Sequence, residues 1–233
     1  MEFHGFNKLT LLDYPGKLAC TLFTGYCNFK CPFCHNAELV LHPDSQPALS
    51  EDTIIRQIKS RASMIEGVAI TGGEPTLHKD LPDFIKRLRD ETGLSIKLDT
   101  NGTAPDMLKE LLDNRLIDYV AMDIKSSPDG YAKATGLNTV SMSELFSSVD
   151  MIIDSGIEYE FRTTVVDGLH TETDFLEIGK WIKGAKRYFL QCYKDSGDLI
   201  APMGLKAPSR DKLERFRNVL LPYVPETRLR GVD

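Results

Sequence analysis

The chain has 233 residues, 42% of them hydrophobic and 27% charged, the balance of a soluble globular protein with one sizeable domain or two small ones. A net charge of −6 argues against nucleic acid as a partner, and no window approaches the ~18 consecutive apolar residues of a membrane span. The start of the chain lacks the basic and apolar regions of a signal peptide, and its five cysteines, an odd number with three clustered, form no secreted disulfide framework, so the expected compartment is a reducing cytoplasm.

In chain order, the first predicted strand is Leu18–Thr24, a β-branched and apolar run. It leads into Cys27-Asn28-Phe29-Lys30-Cys31-Pro32-Phe33-Cys34-His35-Asn36, three thiols at the spacing C-x3-C-x2-C. Three cysteines can ligate three irons of a [4Fe–4S] cluster, where ordinary cluster motifs supply four. The missing ligand leaves one iron open, as a catalytic zinc keeps one position free. Two plainer readings stand beside this one. A zinc site needs a fourth ligand, and the nearest, His42 and Cys20, lie at no zinc-finger distance. Buried structural thiols are the other, although Lys30 and Pro32 suit a loop.

The Leu41–Leu49 stretch, with Pro43 and Pro47, reads as a loop, and Ser50 as the N-cap of a helix over Glu51–Ala62. The second strand, Gly67–Thr71, ends in Thr71-Gly72-Gly73-Glu74-Pro75, whose glycines let backbone approach a ligand closely. A helix over Leu81–Glu91, stopped near Gly93, precedes the third strand, Ser95–Thr100, which runs out through Asp99-Thr100-Asn101-Gly102. A helix over Pro105–Asn114 precedes the fourth strand, Tyr119–Lys125, ending in Met122-Asp123-Ile124-Lys125. Next come a helix over Ser143–Ser155 with Gly156 after it, and a fifth strand, Tyr159–Val165, with Arg162 and Thr164. A helix over Glu172–Lys183 and a sixth strand, Arg187–Tyr193, with Gln191 and Tyr193, follow. A helix over Ser209–Leu220 and a short strand over Thr227–Gly231 complete the pattern. Residues 1–200 read as the core and 201–233 as a helical extension packed on it.

Alternating strands and helices point to an α/β fold with parallel strands. Strands of a sheet covered on both faces are almost continuously apolar. Here the fourth strand alternates, with Val120, Met122 and Ile124 against Ala121, Asp123 and Lys125. The third sets Ile96 and Leu98 against Lys97 and Asp99, and the fifth sets Phe161 and Val165 against Glu160 and Arg162. Inward charges survive only if paired, hydrogen-bonded or lining a wet cavity. A partial (β/α)6 TIM-like barrel explains this better than a packed sheet, and the polar residues at all six strand ends then describe one mouth.

These segments resemble the radical S-adenosylmethionine (SAM) superfamily, whose signature is the C-x3-C-x2-C spacing with an aromatic residue, here Phe33, before the third cysteine. The Gly72-Gly73-Glu74-Pro75 segment after the second strand fits that resemblance. Asp99-Thr100-Asn101-Gly102, Asp123-Ile124-Lys125 and Cys34-His35-Asn36 together resemble the glycyl-radical-enzyme activating enzymes. The opening Gly5-Phe6 and Leu12-Asp13-Tyr14-Pro15-Gly16-Lys17 are similar to the branch that activates anaerobic ribonucleoside-triphosphate reductase.

The resemblance implies one [4Fe–4S] cluster on Cys27, Cys31 and Cys34, and SAM as second cofactor. It implies Phe33 and His35 beside the cluster, and Gly72, Gly73 and Glu74 at the methionyl end of SAM. Asp123 and Lys125 would hold polar oxygens, and Asp99 and Thr100 complete the site, which in some relatives also holds a monovalent cation. It implies a glycyl-radical enzyme as partner and a flavodoxin or ferredoxin as electron donor.

The chain departs from the family at the sixth strand, where Gln191-Cys192-Tyr193-Lys194 stands in place of a histidine and Gln191 or Lys194 would substitute. Arg162 would hold an anion or pair with Glu160 or Asp99. Cys20 and Cys192 read as small core residues, and His4, His42, His78 and His170 show no partner in sequence. Two other functions remain open: a radical SAM enzyme acting directly on a small molecule or peptide, and a zinc-stabilised interaction module without catalysis.

Overall fold

Each strand expected from the sequence forms, with ends displaced by at most two residues, and the third matches at both ends. The computed structural model describes residues 1–195, 197, 199–201 and 204–232. Of the expected 201–233 extension, residues 202, 203 and 233 therefore lie outside the described residues. The backbone divides into two units, one of residues 1–28, 38–100 and 104–120, the other of residues 29–37, 101–103 and 121–233.

In the first unit, β1 (Glu2–Phe3) pairs with a later two-residue strand, and β2 (Gly5–Thr10) runs antiparallel to β3 (Ala19–Thr24). Neither β1 nor β2 is expected from the sequence. The connection from β2 to β3 spans residues 11–18, too long to carry the Asn-Gly signature of a tight hairpin. After β3 comes α1 (Ala37–Leu41), then β4 (Leu49–Ser50), which pairs with β1. The α2 helix (Glu51–Lys59) starts where expected, with the Ser50 hydroxyl accepting the Thr53 N–H at 3.4 Å. It ends earlier than expected, with Ser60 as its C-cap.

The β5 strand (Gly67–Gly72) lies parallel to β3 in the register Thr24↔Gly72, and β6 (Ser95–Thr100) lies parallel to β5. Between them α3 (Leu81–Thr92) ends on Gly93 in the left-handed region. The α4 helix (Pro105–Asp113) follows, and β7 (Tyr119–Asp123) begins. The unit buries one face of each helix: Ile54, Ile55 and Ile58 of α2, Phe84 and Leu88 of α3, and Leu108 and Leu111 of α4, with Ile70, Ile96 and Leu98 of the strands. At the foot of β6, Asp118 accepts the Ile96 N–H at 2.7 Å and an Arg89 guanidinium N–H at 2.5 Å.

The second unit continues β7 and adds α5 (Tyr131–Thr135), α6 (Met142–Asp154), β8 (Glu158–Val165), α7 (Glu172–Trp181), β9 (Tyr188–Cys192), α8 (Arg210–Leu220) and β10 (Thr227–Arg230). The α5 helix is another unexpected element, since so short a helix shows no period. Both β8 and β10 pair parallel with β9. Phe175 of α7 and Phe216 of α8 meet with ring centroids 4.5 Å apart, in a core that also buries Tyr131, Tyr159 and Tyr188. No helix among the described residues is long and apolar enough to cross a membrane.

The alternating strands receive the treatment that inward charge demands. Lys97 of β6, only 2% exposed, is ion-paired with Asp99. Glu160 of β8, also 2% exposed, takes a two-pronged bond from Arg230 of β10 at 2.7 and 2.8 Å. The Arg230 guanidinium also sits 3.3 Å above the Phe189 ring. Arg162 has a partner that the sequence does not suggest: it donates to Asp123 at 2.9 Å.

Candidate cofactor site

The segment that delivers Cys27 is fixed within the first unit. Gly73 N–H donates to Thr24 O at 2.8 Å and Glu74 N–H to Tyr26 O at 2.7 Å. A Cβ on Gly73 would lie 1.9 Å from Tyr26 O, and Gly72, at φ +116°, would place one 2.4 Å from Thr24 backbone atoms. The glycine pair is therefore required by the contact between the exit of β5 and the backbone leading to Cys27. Tyr26 itself holds φ +62°, a strained value for a bulky residue. Its N–H donates to Leu39 O at 2.9 Å, and the His78 ring bonds Gly25 O at 3.1 Å, so His78 has a partner that the sequence hides.

Glu74 is 1% exposed, and three donors converge on its Oε1: Thr76 N–H at 3.1 Å, the Thr76 hydroxyl at 2.6 Å and the Thr100 hydroxyl at 2.7 Å. Glu74 and Thr100, 26 residues apart in the chain, are thereby brought together at the ends of β5 and β6. Asp99 sits one residue earlier, held by Lys97.

The second unit holds residues 29–37, hence Cys31, Phe33, Cys34 and His35. Lys30 N–H donates to Thr135 O at 2.8 Å, and Gly136, at φ +68°, lies so close that a Cβ would meet Lys30 O at 2.3 Å. Phe29 packs on Tyr131, with ring centroids 6.2 Å apart. Cys34 N–H closes a turn onto Cys31 O at 3.0 Å, and Ala201 N–H reaches Pro32 O at 3.0 Å. His35 Nε2 donates to Lys194 O at 2.9 Å, and its ring lies 6.5 Å from that of Tyr193. Lys194 thus meets the cysteine loop through its carbonyl. Tyr193 is buried, and its hydroxyl has no partner among the described residues.

At the end of β7, Asp123 Oδ2 accepts from Lys125 Nζ at 3.0 Å and Oδ1 from Arg162 Nε at 2.9 Å. Burial opposes the Asp123 charge, but Arg162 and then Lys125 outweigh it and hold the carboxyl well below the usual range. Burial likewise opposes the Lys125 charge, and Asp123 overcomes it, keeping the ammonium protonated. Burial pushes the Cys31 thiol up to about 11, against the nearby Lys125 ammonium. Cys31, Asp123, Lys125 and Arg162 therefore form one electrostatic neighbourhood, with a net positive charge on the triad while Cys31 is a thiol. Tyr131 joins it by donating to Asp123 O at 3.3 Å. Tyr131 is the neighbour least visible in the sequence, since it belongs to no motif, and Arg162 shows there only as a strand-end charge of uncertain partner.

The donor set fits an iron–sulfur cluster. It consists of soft thiols alone, and a positive Lys125 beside Cys31 favours a negatively charged thiolate assembly. Among the described residues no three Cys, His, Asp or Glu side chains converge on one point to hold a single ion. Three thiolates that bind three separate irons need not converge in that way. Cys20 is a core residue, fully buried, its thiol pushed up to about 12 by burial, and Cys192 is half-buried.

Comparison with known proteins extends these observations. Residues 21–182 match the radical SAM superfamily. A protein of Methanocaldococcus jannaschii, provisionally named a glycyl-radical enzyme activating enzyme, is 31% identical over 98% of this chain and 95% of its own length. The GTP 3′,8-cyclase of Aquifex aeolicus is 27% identical over 94% of this chain and 71% of its own. Among solved structures, Streptococcus suis SuiB bound to S-adenosylmethionine matches with a TM-score of 0.68 at 15% identity, over 91% of this chain and 52% of that one. The chain thus spans about half the length of that structure. The likeness carries the fold class expected from sequence, an α/β partial barrel of the radical SAM type.

Proposed function

This chain belongs to the radical SAM superfamily, an enzyme family that uses a [4Fe–4S] cluster and SAM, and from that premise we propose that it activates anaerobic ribonucleoside-triphosphate reductase by generating a glycyl radical on it. The observation that carries the activating role is the end-to-end correspondence with a relative named for that role, over 98% of this chain and 95% of the relative. The choice of reductase rests on the opening segment, Gly5-Phe6 and Leu12 to Lys17.

Cys27, Cys31 and Cys34 would hold the cluster, with Phe33 and His35 beside it and Phe33 toward SAM. When bound, the cluster and SAM would supply an electron and a scissile carbon–sulfur bond, the radical chemistry needed to take hydrogen from the Cα of a glycine. The protein's own work is placement. Gly72, Gly73 and Glu74 hold the methionyl amino group, and the Glu74 carboxylate also fixes Thr100. The positive triad of Asp123, Lys125 and Arg162 suits the methionyl carboxylate, with Lys125 as the point charge. Asp99 and Thr100 complete the site. The electron comes from a flavodoxin or ferredoxin, and the reaction takes place in the cytoplasm.

The Aquifex cyclase supports a second reading, radical chemistry on a free nucleotide. The two differ in stoichiometry. With the reconstituted protein, reductant and SAM, total 5′-deoxyadenosine should rise with the amount of reductase added and stop near one per activated glycine, while GTP alone adds nothing. Continued formation with GTP, and none dependent on reductase, would reject the activase reading.

A further inference from the structure

The geometry points to the segment leading into α7 as a positioning element for the Lys125 ammonium, acting through His170, the residue before the Thr171 N-cap. The inference rests on the reading above, in which Lys125 meets an anionic group of SAM.

Lys125 lies two residues past the end of β7, where the strand no longer defines the backbone. The residue before it is still tied to β8. Ile124 N–H donates to Arg162 O at 2.8 Å, and Ile124 O accepts from the Thr163 hydroxyl at 2.5 Å. The next carbonyl, that of Lys125, is taken by a side chain: His170 Nε2 bonds it at 2.9 Å. The other ring nitrogen, Nδ1, accepts the Val166 N–H at 3.1 Å. A carbonyl can only accept and an amide N–H can only donate, so both bonds together admit one neutral tautomer, with the proton on Nε2. The ring is 1% exposed and packs 5.9 Å from Phe175.

A second grip comes from the first turn of α7 itself. The Ser127 hydroxyl donates to Asp174 Oδ1 while its oxygen accepts the Gly130 N–H at 3.2 Å. The other Asp174 oxygen closes a capping box with Thr171, at 2.9 Å from its N–H and 2.6 Å from its hydroxyl. His170 and Asp174 thus hold residues 125 and 127 from one rigid helix start. A lysine side chain is a flexible four-carbon stem, so the position of its ammonium is only as defined as its root and its partner. Asp123 supplies the partner at 3.0 Å, and His170 supplies the root.

The test is a double-mutant cycle on SAM affinity of the reconstituted, unreduced enzyme. His170→Phe keeps the ring volume and removes both bonds; it should weaken SAM binding about tenfold and leave 5′-deoxyadenosine formation at saturating SAM within about twofold. His170→Gln, whose amide can donate to Lys125 O, should recover part of the loss and serves if the Phe variant folds poorly. Lys125→Ala should weaken SAM binding by itself, and adding His170→Phe to it should change nothing further. Additive losses would overturn the positioning role and leave the Lys125 contact standing. Unchanged affinity in Lys125→Ala would overturn the contact and the inference with it. Independently of loading, nitrogen NMR of the apo chain should show the His170 ring as the Nε2–H tautomer, and a freely tautomerising ring would contradict the proposal.

Discussion

A single missing Cβ governs the approach of β5 to the cysteine segment. Gly73→Ala would drive a carbon to 1.9 Å from Tyr26 O, and the obstacle is backbone that already carries the strained Tyr26. Relief requires moving the residues just before Cys27. The expected result is a loss of about 2 kcal/mol in the apo chain, read by urea unfolding, with iron retention after reconstitution falling further than stability does. An Ala variant with wild-type stability and iron content would show that the close approach is not needed. Gly73 is legible in the sequence as a special residue, but sequence offers only ligand approach as the reason, whereas the structure adds a contact with the protein's own chain.

His170 carries a pH dependence of its own. Burial lowers its pKa, as does Lys212, while its hydrogen bond to the Lys125 carbonyl and the Asp174 carboxylate oppose the fall. The folded ring therefore resists a proton that the unfolded chain accepts below about pH 6.5. Its contribution to stability is complete above that value and lost as pH falls through the lower folded pKa. Urea unfolding of the apo chain should show stability declining from about pH 7 to pH 5, and the decline should be shallower in His170→Phe. Equal slopes would mean that the ring takes up its proton in the fold without cost.

At the scale of elements, β10 is held by more than its ladder. The two-pronged bond from Arg230 neutralises Glu160, a carboxylate buried in β8. Arg230→Ala would strip both of these bonds from the buried carboxylate, with an expected cost of about 3 kcal/mol, and Glu160→Gln in the same background should restore part of it. Thermal unfolding of the two variants checks this, and an Arg230→Ala chain as stable as its parent would contradict it. The strand itself is legible only as a short run near the end of the chain. Its anchor is not, because Glu160 and Arg230 are 70 residues apart and no periodicity links them. Conversely, β6 is readable at both ends, because the alternating run from Ser95 to Thr100 is bounded by Gly93 before it and by the Asn101-Gly102 turn after it. The short elements β1, β2, β4 and α5 escape for the opposite reason: each is too brief, or borders too long a turn, to leave a pattern.

At the scale of the whole molecule, the chemistry is legible before the fold, since three thiols at fixed spacing and the Gly-Gly-Glu-Pro segment are local in sequence. Their support is not. Tyr131, Gly136, His170 and Arg162 act through backbone atoms or through charges brought near by folding, and such partners carry no motif. The family and its cofactors agree with the local reading. The structure adds a division of labour: glycines that bring backbone together, carboxylates already neutralised by lysine or arginine, and a neutral histidine that holds the root of one lysine.

The most direct test of the activase reading is electron paramagnetic resonance of the protein reconstituted without oxygen, reduced with SAM present, and mixed with anaerobic ribonucleoside-triphosphate reductase. A glycyl doublet should appear on the reductase with the parent chain and be absent with Cys27→Ala, Cys31→Ala or Cys34→Ala. SAM cleavage with no doublet would contradict the proposed partner, and a doublet that survives loss of any one of the three cysteines would contradict the site.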